Sequence, residues 1–316
     1  MTTRRFVIAL GGNAIVPVGR EGTYYDQYQI TKTTMHQVAE LSAAGHQIVI
    51  THGNGPVVGN IFLRNDAGYE KYGIAPMPLF VCGADSQGGL GYMIQQNLQN
   101  AMFLRGLDKQ VATIVTQVLV DRGDPAFANP TKPIGPFYSA EQAEQVAREF
   151  GWIVKEDAGR GWRRVVPSPR PRQVIEFRVI KDLLEAGVLV IACGGGGVPV
   201  AKCEMDKIEG IDAVIDKDLA SELLAELIEA DTLVIVTQVE MVYRHYGAPG
   251  QVGLRRLAAA EARAMLEAGE FPAGSMGPKI DAALMFLAAG GREVVITDPE
   301  HLTAAINGES GTSISA

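Results

Sequence analysis

Residues 6–14, Phe6-Val7-Ile8-Ala9-Leu10-Gly11-Gly12-Asn13-Ala14, pass from an unbroken apolar run straight into two adjacent glycines. Five apolar residues without alternation predict a strand buried on both faces, as in a parallel sheet covered by helices. Further runs of this kind follow at Gln47–Thr51, Val111–Val120, Val188–Ala192, Thr232–Thr237 and Glu293–Thr297, separated by helix-like segments. That alternation predicts an α/β fold, an open and mainly parallel sheet flanked by helices in three layers. Several runs end directly in Gly, Asn or Thr, so ligands are expected at those strand ends.

The 316 residues suit two lobes with a cleft between them. The division expected is 1–186 for a first lobe and 187–316 for a second. Hydrophobic residues make up 47% and charged residues 20%, enough for a sizeable core. A net charge of -8 argues against a nucleic-acid surface, which needs a basic stripe, and any anion site must therefore be locally basic. No apolar stretch approaches the ~20 residues that span a bilayer. Met1 to Arg5 lead into the first strand without the features of a secretory signal, so cytoplasmic residence is expected. Cys82, Cys193 and Cys203 lack metal-ligand spacing and read as packing residues.

Between Asp121 and Pro171 the pattern breaks into a segment rich in Pro, Gly and Arg, expected to be an inserted subdomain over 122–170 that acts as a lid. Within it Ser139 is a candidate N-cap for a helix over Ala140–Phe150.

Three loops could hold an oxyanion. Gly11-Gly12-Asn13 follows the first strand, and its glycines let backbone N–H groups approach an anion, although a tight turn explains them equally. The second strand ends in Thr51-His52-Gly53-Asn54-Gly55-Pro56, with Val57 opening a helix whose N-terminus favours a carboxylate or phosphate; His52 reads as structural. The third, Gly194-Gly195-Gly196-Gly197, loses so much conformational freedom on ordering that a role beyond packing is expected. A dinucleotide fingerprint fails here because the final glycine is missing and Pro199 interrupts any following helix, even though Asp212 and Asp216 lie about 20 residues on. A P-loop is excluded, since no Gly-x-x-x-x-Gly-Lys-Ser/Thr occurs.

Phosphoryl transfer needs positive charge over the moving group and donors aimed at its oxygens, so lysines near these loops are the candidates. Asp216-Lys217-Asp218 opens a helix over Leu219–Ile228, where the acids either cap the helix or orient lysines and magnesium. Gly274-Ser275-Met276-Gly277-Pro278-Lys279 precedes a helix over Ile280–Ala289 and puts Lys279 against the macrodipole unless an anion balances it. Lys132, stiffened by Pro130 and Pro133, could reach over the cleft from the insertion.

In their order along the chain, these motifs, with Asp124-Pro125-Ala126-Phe127 and Arg163 to Pro169, closely resemble the carbamate kinase branch of the amino-acid kinase family over essentially the whole chain. The resemblance implies reversible phosphoryl transfer between ATP and carbamate, with ADP and carbamoyl phosphate as the other pair, in a homodimer. It also implies Mg²⁺ carried mainly by the nucleotide phosphates, with no certain protein ligand. Ala9 stands where many amino-acid kinases carry a lysine, and Lys132 is the matching residue for the missing charge. Lys217 and Lys279 are then expected at the transferring phosphoryl, with Asp216 organising the lysines. Gly11, Gly12, Asn13, Gly53, Asn54 and Gly55 are expected around the substrate, and Gly194, Gly195, Gly196, Asp218, Tyr243 and Met276 at the nucleotide. Gln238 and Glu240 depart from the pattern of relatives. The alternatives are another acylphosphate-forming kinase, of the N-acetylglutamate type, or a silent nucleotide or carbamoyl-phosphate sensor.

Overall fold

The computed structural model describes residues 3–15, 23–157, 161–272 and 275–316. Its main sheet has eight strands in the order Arg256–Ala258, Thr312–Ser315, Glu293–Thr297, Thr232–Val236, Arg5–Leu10, Gln47–His52, Leu189–Ile191, Val111–Thr113. All neighbours are parallel except the pair formed by Thr312–Ser315 with Glu293–Thr297. The apolar runs lack alternation because both faces are covered. Val7, Val49, Leu233 and Ile235 pack into one core with Leu184, Leu224 and Ile280. Phe6, Ile8, Ile50 and Val234 pack into the other with Met35, Val38, Ile94 and Leu98. The strand Arg5–Leu10 is thus the seam of the molecule, and Phe6 to Ala9 are fully buried.

The sheet runs unbroken across the expected division at 186/187, and it seats Leu189–Ile191 between two strands of the first lobe.

The run Val111–Val120, expected as one strand, is two. Val111–Thr113 stays in the main sheet, while Gln117–Val120 joins a second, four-stranded sheet with Val198–Lys202, Ile208–Gly210 and Pro171–Val174. The break is made by side chains. Thr116 N–H donates to Gln87 Oε1 at 2.8 Å, Gln87 Nε2 donates to the Thr116 carbonyl, and Thr116 Oγ1 accepts from Cys193 N–H. These bonds take the backbone out of the first ladder at the point where the second begins.

The insertion is a folded unit, with a three-stranded antiparallel sheet of Lys132–Tyr138, Trp162–Val166 and Val154–Glu156 beside a helix over Ala140–Phe150. Ser139 caps that helix in a reciprocal box with Gln142. No helix among the described residues is long and apolar enough to cross a membrane.

Candidate active site

The sheet register brings the loops together. Leu10 lies opposite both His52 and Val236, so the chain leaves the first, second and Thr232–Val236 strands at one level of the sheet. Gly11 N–H donates to the Val236 carbonyl and Gly53 N–H to the Leu10 carbonyl, both at 2.9 Å. The loops then approach too closely for side chains. A Cβ on Gly11 would sit 2.8 Å from the Val236 oxygen, one on Gly12 2.9 Å from the Gly55 oxygen, and one on Gly53 3.2 Å from both Gly12 N and the Lys217 Cδ.

Above this floor opens a cleft of about 790 Å³, lined by Gly12, Gly53, Asn54 and Gly55 on one side, Asp216, Lys217, Asp218 and Lys279 on another, and Lys132 and Arg163 of the insertion across from them. The helix expected over Leu219–Ile228 starts earlier, spanning Lys217–Leu227 with Asp216 as its N-cap, whose Oδ1 accepts from Asp218 N–H at 2.9 Å. The helix expected over Ile280–Ala289 spans Met276–Ala288, so Lys279 sits in its first turn. Two adjacent helix N-termini therefore open on the cleft, where their partial positive charge favours an anion.

The ion pairs divide the lysines. Lys217 Nζ donates to Asp218 Oδ1 at 2.5 Å and Lys279 Nζ to Asp218 Oδ2 at 3.1 Å, with Asp218 almost wholly buried. Lys132 Nζ donates to Asp216 Oδ2 at 2.8 Å. Asp216 was expected to organise the lysines; in the structure it holds Lys132 alone, while Asp218 holds the other two. Burial by itself raises the Asp218 carboxyl, but Lys217 and Lys279 outweigh it and bring it down to about 2. Burial also opposes ionisation of Asp216, and Lys132 overcomes that to leave it below the usual carboxylate range. For Lys217 burial wins over the pull of Asp218, and its ammonium is held less firmly than in water. A phosphoryl oxygen would strengthen it.

The chain matches the sequence model described as the amino acid kinase family over residues 4–298. It is 52% identical to a carbamate kinase of Pyrococcus furiosus over 311 residues, covering 98% of this chain and 99% of that one. The carbamate kinase of Pyrococcus horikoshii is 51% identical with 98% of each covered. Among solved structures, the carbamate kinase of Giardia lamblia bound to AMP-PNP superposes with a TM-score of 0.91 at 44% identity, covering 99% of both chains. The chain belongs to the amino acid kinase family, in its carbamate kinase branch. An N-acetylglutamate synthase of Neisseria gonorrhoeae, at 15% identity and a TM-score of 0.58, shares the fold alone.

Of the residues that the family resemblance assigns to substrate, Gly12, Gly53, Asn54 and Gly55 line the cleft, and Gly11 lies beneath them in the first ladder. The side chain of Asn13 lies outside the described residues, as does Gly274. Of those assigned to the nucleotide, Asp218 and Gly195 line the cleft. Gly194 and Gly196 are buried behind it, Met276 is half-buried against the core at the start of its helix, and Tyr243 sits on the hairpin formed by Val242–Arg244 and Val252–Leu254.

The four glycines have a packing reason that the sequence does not display. A Cβ would lie 2.5 Å from His52 Nε2 at Gly194, 2.2 Å from Asn54 Nδ2 at Gly195 and 2.4 Å from the Ile215 oxygen at Gly196, and the last two also have positive φ. The loop is the surface on which His52 and Asn54 rest. His52 is structural, as expected. Its ring is buried, which lowers it to about 4, and Nδ1 donates to the Gly53 carbonyl at 2.9 Å.

Sequence reasoning missed the braces behind the site. Ser221 Oγ donates to the Lys217 carbonyl and lies 2.6 Å from Thr51 Oγ1, tying the lysine's helix to the second strand. Asn54 Nδ2 donates to Ser86 Oγ. Ser86 sits inside the long helix Leu79–Leu104, and nothing in its local pattern links it to a loop 32 positions away.

Proposed function

We propose that the chain is a carbamate kinase, moving a phosphoryl group reversibly between ATP and carbamate. The observation that carries this reading is the set of three lysines, held by two carboxylates, around a cleft floored by glycine loops.

In the direction of ATP synthesis, the bond between phosphorus and the carbamoyl oxygen of carbamoyl phosphate breaks, and its electron pair leaves with carbamate. A β-phosphate oxygen of ADP forms the new bond in line, without a phosphoenzyme. The protein supplies position and charge. An ammonium has three donors, so Lys217 and Lys279 keep their bonds to Asp218 while donating to the transferring phosphoryl, and Lys132 does the same from Asp216. Gly12, Asn13, Asn54 and Gly55 hold the carbamoyl end through backbone amides and the Asn54 carboxamide, while Gly11 and Gly53, whose amides are tied to Val236 and Leu10, shape the floor beneath it. Gly194, Gly195, Gly196, Asp218, Tyr243 and Met276 form the nucleotide side.

Among the described residues no group of three or more His, Cys, Asp and Glu has the arrangement of a metal site, and Asp216 and Asp218 are the cleft's carboxylates. Magnesium commonly takes only one or two protein carboxylates and several phosphate or water oxygens, so this donor set fits an ion that enters with the nucleotide. Bound there, it would offset phosphate charge.

The enzyme acts as a cytoplasmic homodimer. The edge strand Val111–Thr113 packs against the helix Leu79–Leu104, whose Tyr92, Phe103 and Leu104 are exposed, the last two 82% and 70% accessible, a face that a second copy would cover.

Purified protein mixed with ADP, Mg²⁺ and carbamoyl phosphate is expected to form ATP promptly. Binding without turnover would favour a sensor, and ATP consumption only with an acylated amino acid would favour the other kinase. A sedimentation mass of one chain would remove the dimer.

A further inference from the structure

The insertion meets the body of the protein at a stack of planar groups. Arg164, in the strand Trp162–Val166, has its guanidinium carbon 4.8 Å from the centre of the Phe62 ring and 4.4 Å from that of Trp152. Trp152 in turn stacks on Phe150, with centroids 4.7 Å apart and planes 25° apart. Phe62 belongs to the body helix Val57–Tyr72, whereas Phe150, Trp152 and Arg164 all belong to the insertion. Phe62 and Trp152 also touch each other, with centroids 5.4 Å apart and planes 55° apart, so the guanidinium packs beside a ring pair that crosses the junction.

Among the described residues no ion pair holds the guanidinium, and beside it a buried apolar cluster joins Val58, Leu79 and Cys82 of the body to Ile134 and Val166 of the insertion. Arg164 Nη1 is buried without a hydrogen-bond partner, and the nearby carboxylates Asp66 and Asp212 form no ion pair with it, although their charges favour its ionised form against burial. The rings also face a small cavity of about 300 Å³ between insertion and body, lined by Asp66, Glu70 and Asp212 among others, so the junction is not packed solid.

Its position gives the contact a role. Arg163, the preceding residue, lines the active cleft and donates from Nη2 to the Gly135 carbonyl. Val166, two residues on, is paired with Lys132. Any tilt of this strand relative to the body moves Lys132 relative to Asp216.

We propose that Arg164, packed against the Phe62–Trp152 ring pair, is a positioning residue that holds the insertion in the setting from which Lys132 reaches the transferring phosphoryl. The proposal rests on the carbamate kinase reading for its kinetic part and on geometry alone for the contact.

The test compares R164M, which keeps the apolar bulk but removes the cation, with F62L, which removes the ring on the body side, and with the double variant. R164M is expected to raise KM for carbamoyl phosphate about tenfold while KM for ADP stays within about twofold. In the free protein, amides of Lys132–Tyr138 and Trp162–Val166 should exchange about tenfold faster, with those of Arg5–Leu10 unchanged. The double variant should fall clearly short of the sum of the two single ones, because both lose the Arg164–Phe62 contact. Equal loss of protection in the insertion and the body, or additive effects in the double variant, would make Arg164 a general stabiliser and overturn the proposal. Wild-type protein that forms no ATP would sink the kinase reading, yet the exchange comparison would still decide the contact.

Discussion

Two parts of the cleft hold their lysines in different ways. Lys217 and Lys279 stand on helices packed into the core, share the buried Asp218, and are themselves nearly enclosed, at 14% and 13% accessible. Lys132 stands on an added strand, is 35% accessible, and meets Asp216 at a surface of the body that the insertion overlies. The first arrangement is fixed when the chain folds. The second is fixed only when the insertion is seated. Under the proposed mechanism, charge at the transferring group is split between a permanent part and one that depends on a docked subdomain, which suits a reaction that must admit two substrates and then exclude water.

Replacing Asp218 by Asn should have the largest effect and should touch both stability and rate. It leaves two enclosed ammonium groups without their shared counter-charge, and loss of one partner of a buried pair costs about 3–5 kcal/mol. We expect Tm to fall by roughly 5–10 °C and kcat by about 10³-fold. Lys132→Ala should separate these effects. Its half-exposed ion pair contributes at most about 1 kcal/mol, so Tm should move little, while kcat falls about 10²-fold. If Asp218→Asn kept its melting temperature, or Lys132→Ala lost it, the contrast between the two sides would fail.

The same contrast explains what could be read from the sequence. The seam strand and the loops at its level were legible because backbone periodicity and local motifs encode them, whereas the role of Lys132 was named only through the family resemblance. The Lys217–Leu227 helix starts earlier than expected because Asp216 caps it, one of the two roles that the sequence left open for that acid. The splitting of Val111–Val120 was invisible because it depends on Gln87, a residue in the middle of a helix, competing for backbone bonds at Thr116. The tetraglycine turn was recognised as unusual, but that it carries His52 and Asn54 depends on contacts across more than 140 positions of sequence, which no local pattern shows.

That turn supplies a third and smaller test on the permanent side. Gly195→Ala would place a methyl group 2.2 Å from Asn54 Nδ2 at a backbone φ of +66°, so Asn54 must move off Ser86. We expect a loss of about 1–3 kcal/mol in stability and a severalfold rise in KM for carbamoyl phosphate, with KM for ADP less affected. An unchanged substrate KM would detach Asn54 from the substrate.

The smallest effect on rate is expected on the core side of the helix that carries Lys217, where a change should appear in stability alone. Glu222 is buried in that helix, and burial, with Glu226 and with Asp281 of the neighbouring helix adding to it against Arg170, raises its carboxyl to about 7. The folded protein therefore keeps a proton that the unfolded chain releases near pH 4.5, and stability should fall as pH rises from about 4.5 to about 7, by at most about 1.4 kcal/mol per pH unit. His52 acts in the opposite sense: the unfolded chain takes up a proton near pH 6.5 that the buried ring refuses until about 4, so its contribution is lost as pH falls through that window. Between about pH 4.5 and 6.5 the two slopes oppose each other. Glu222→Gln removes one of them, and denaturation at a series of pH values should show the variant gaining on wild type steadily from pH 4.5 to 7, with kcat at pH 7.5 unaltered. Parallel curves for the two proteins would mean that Glu222 is ionised in the fold, and a fall in kcat would mean that the back of this helix belongs to the site after all.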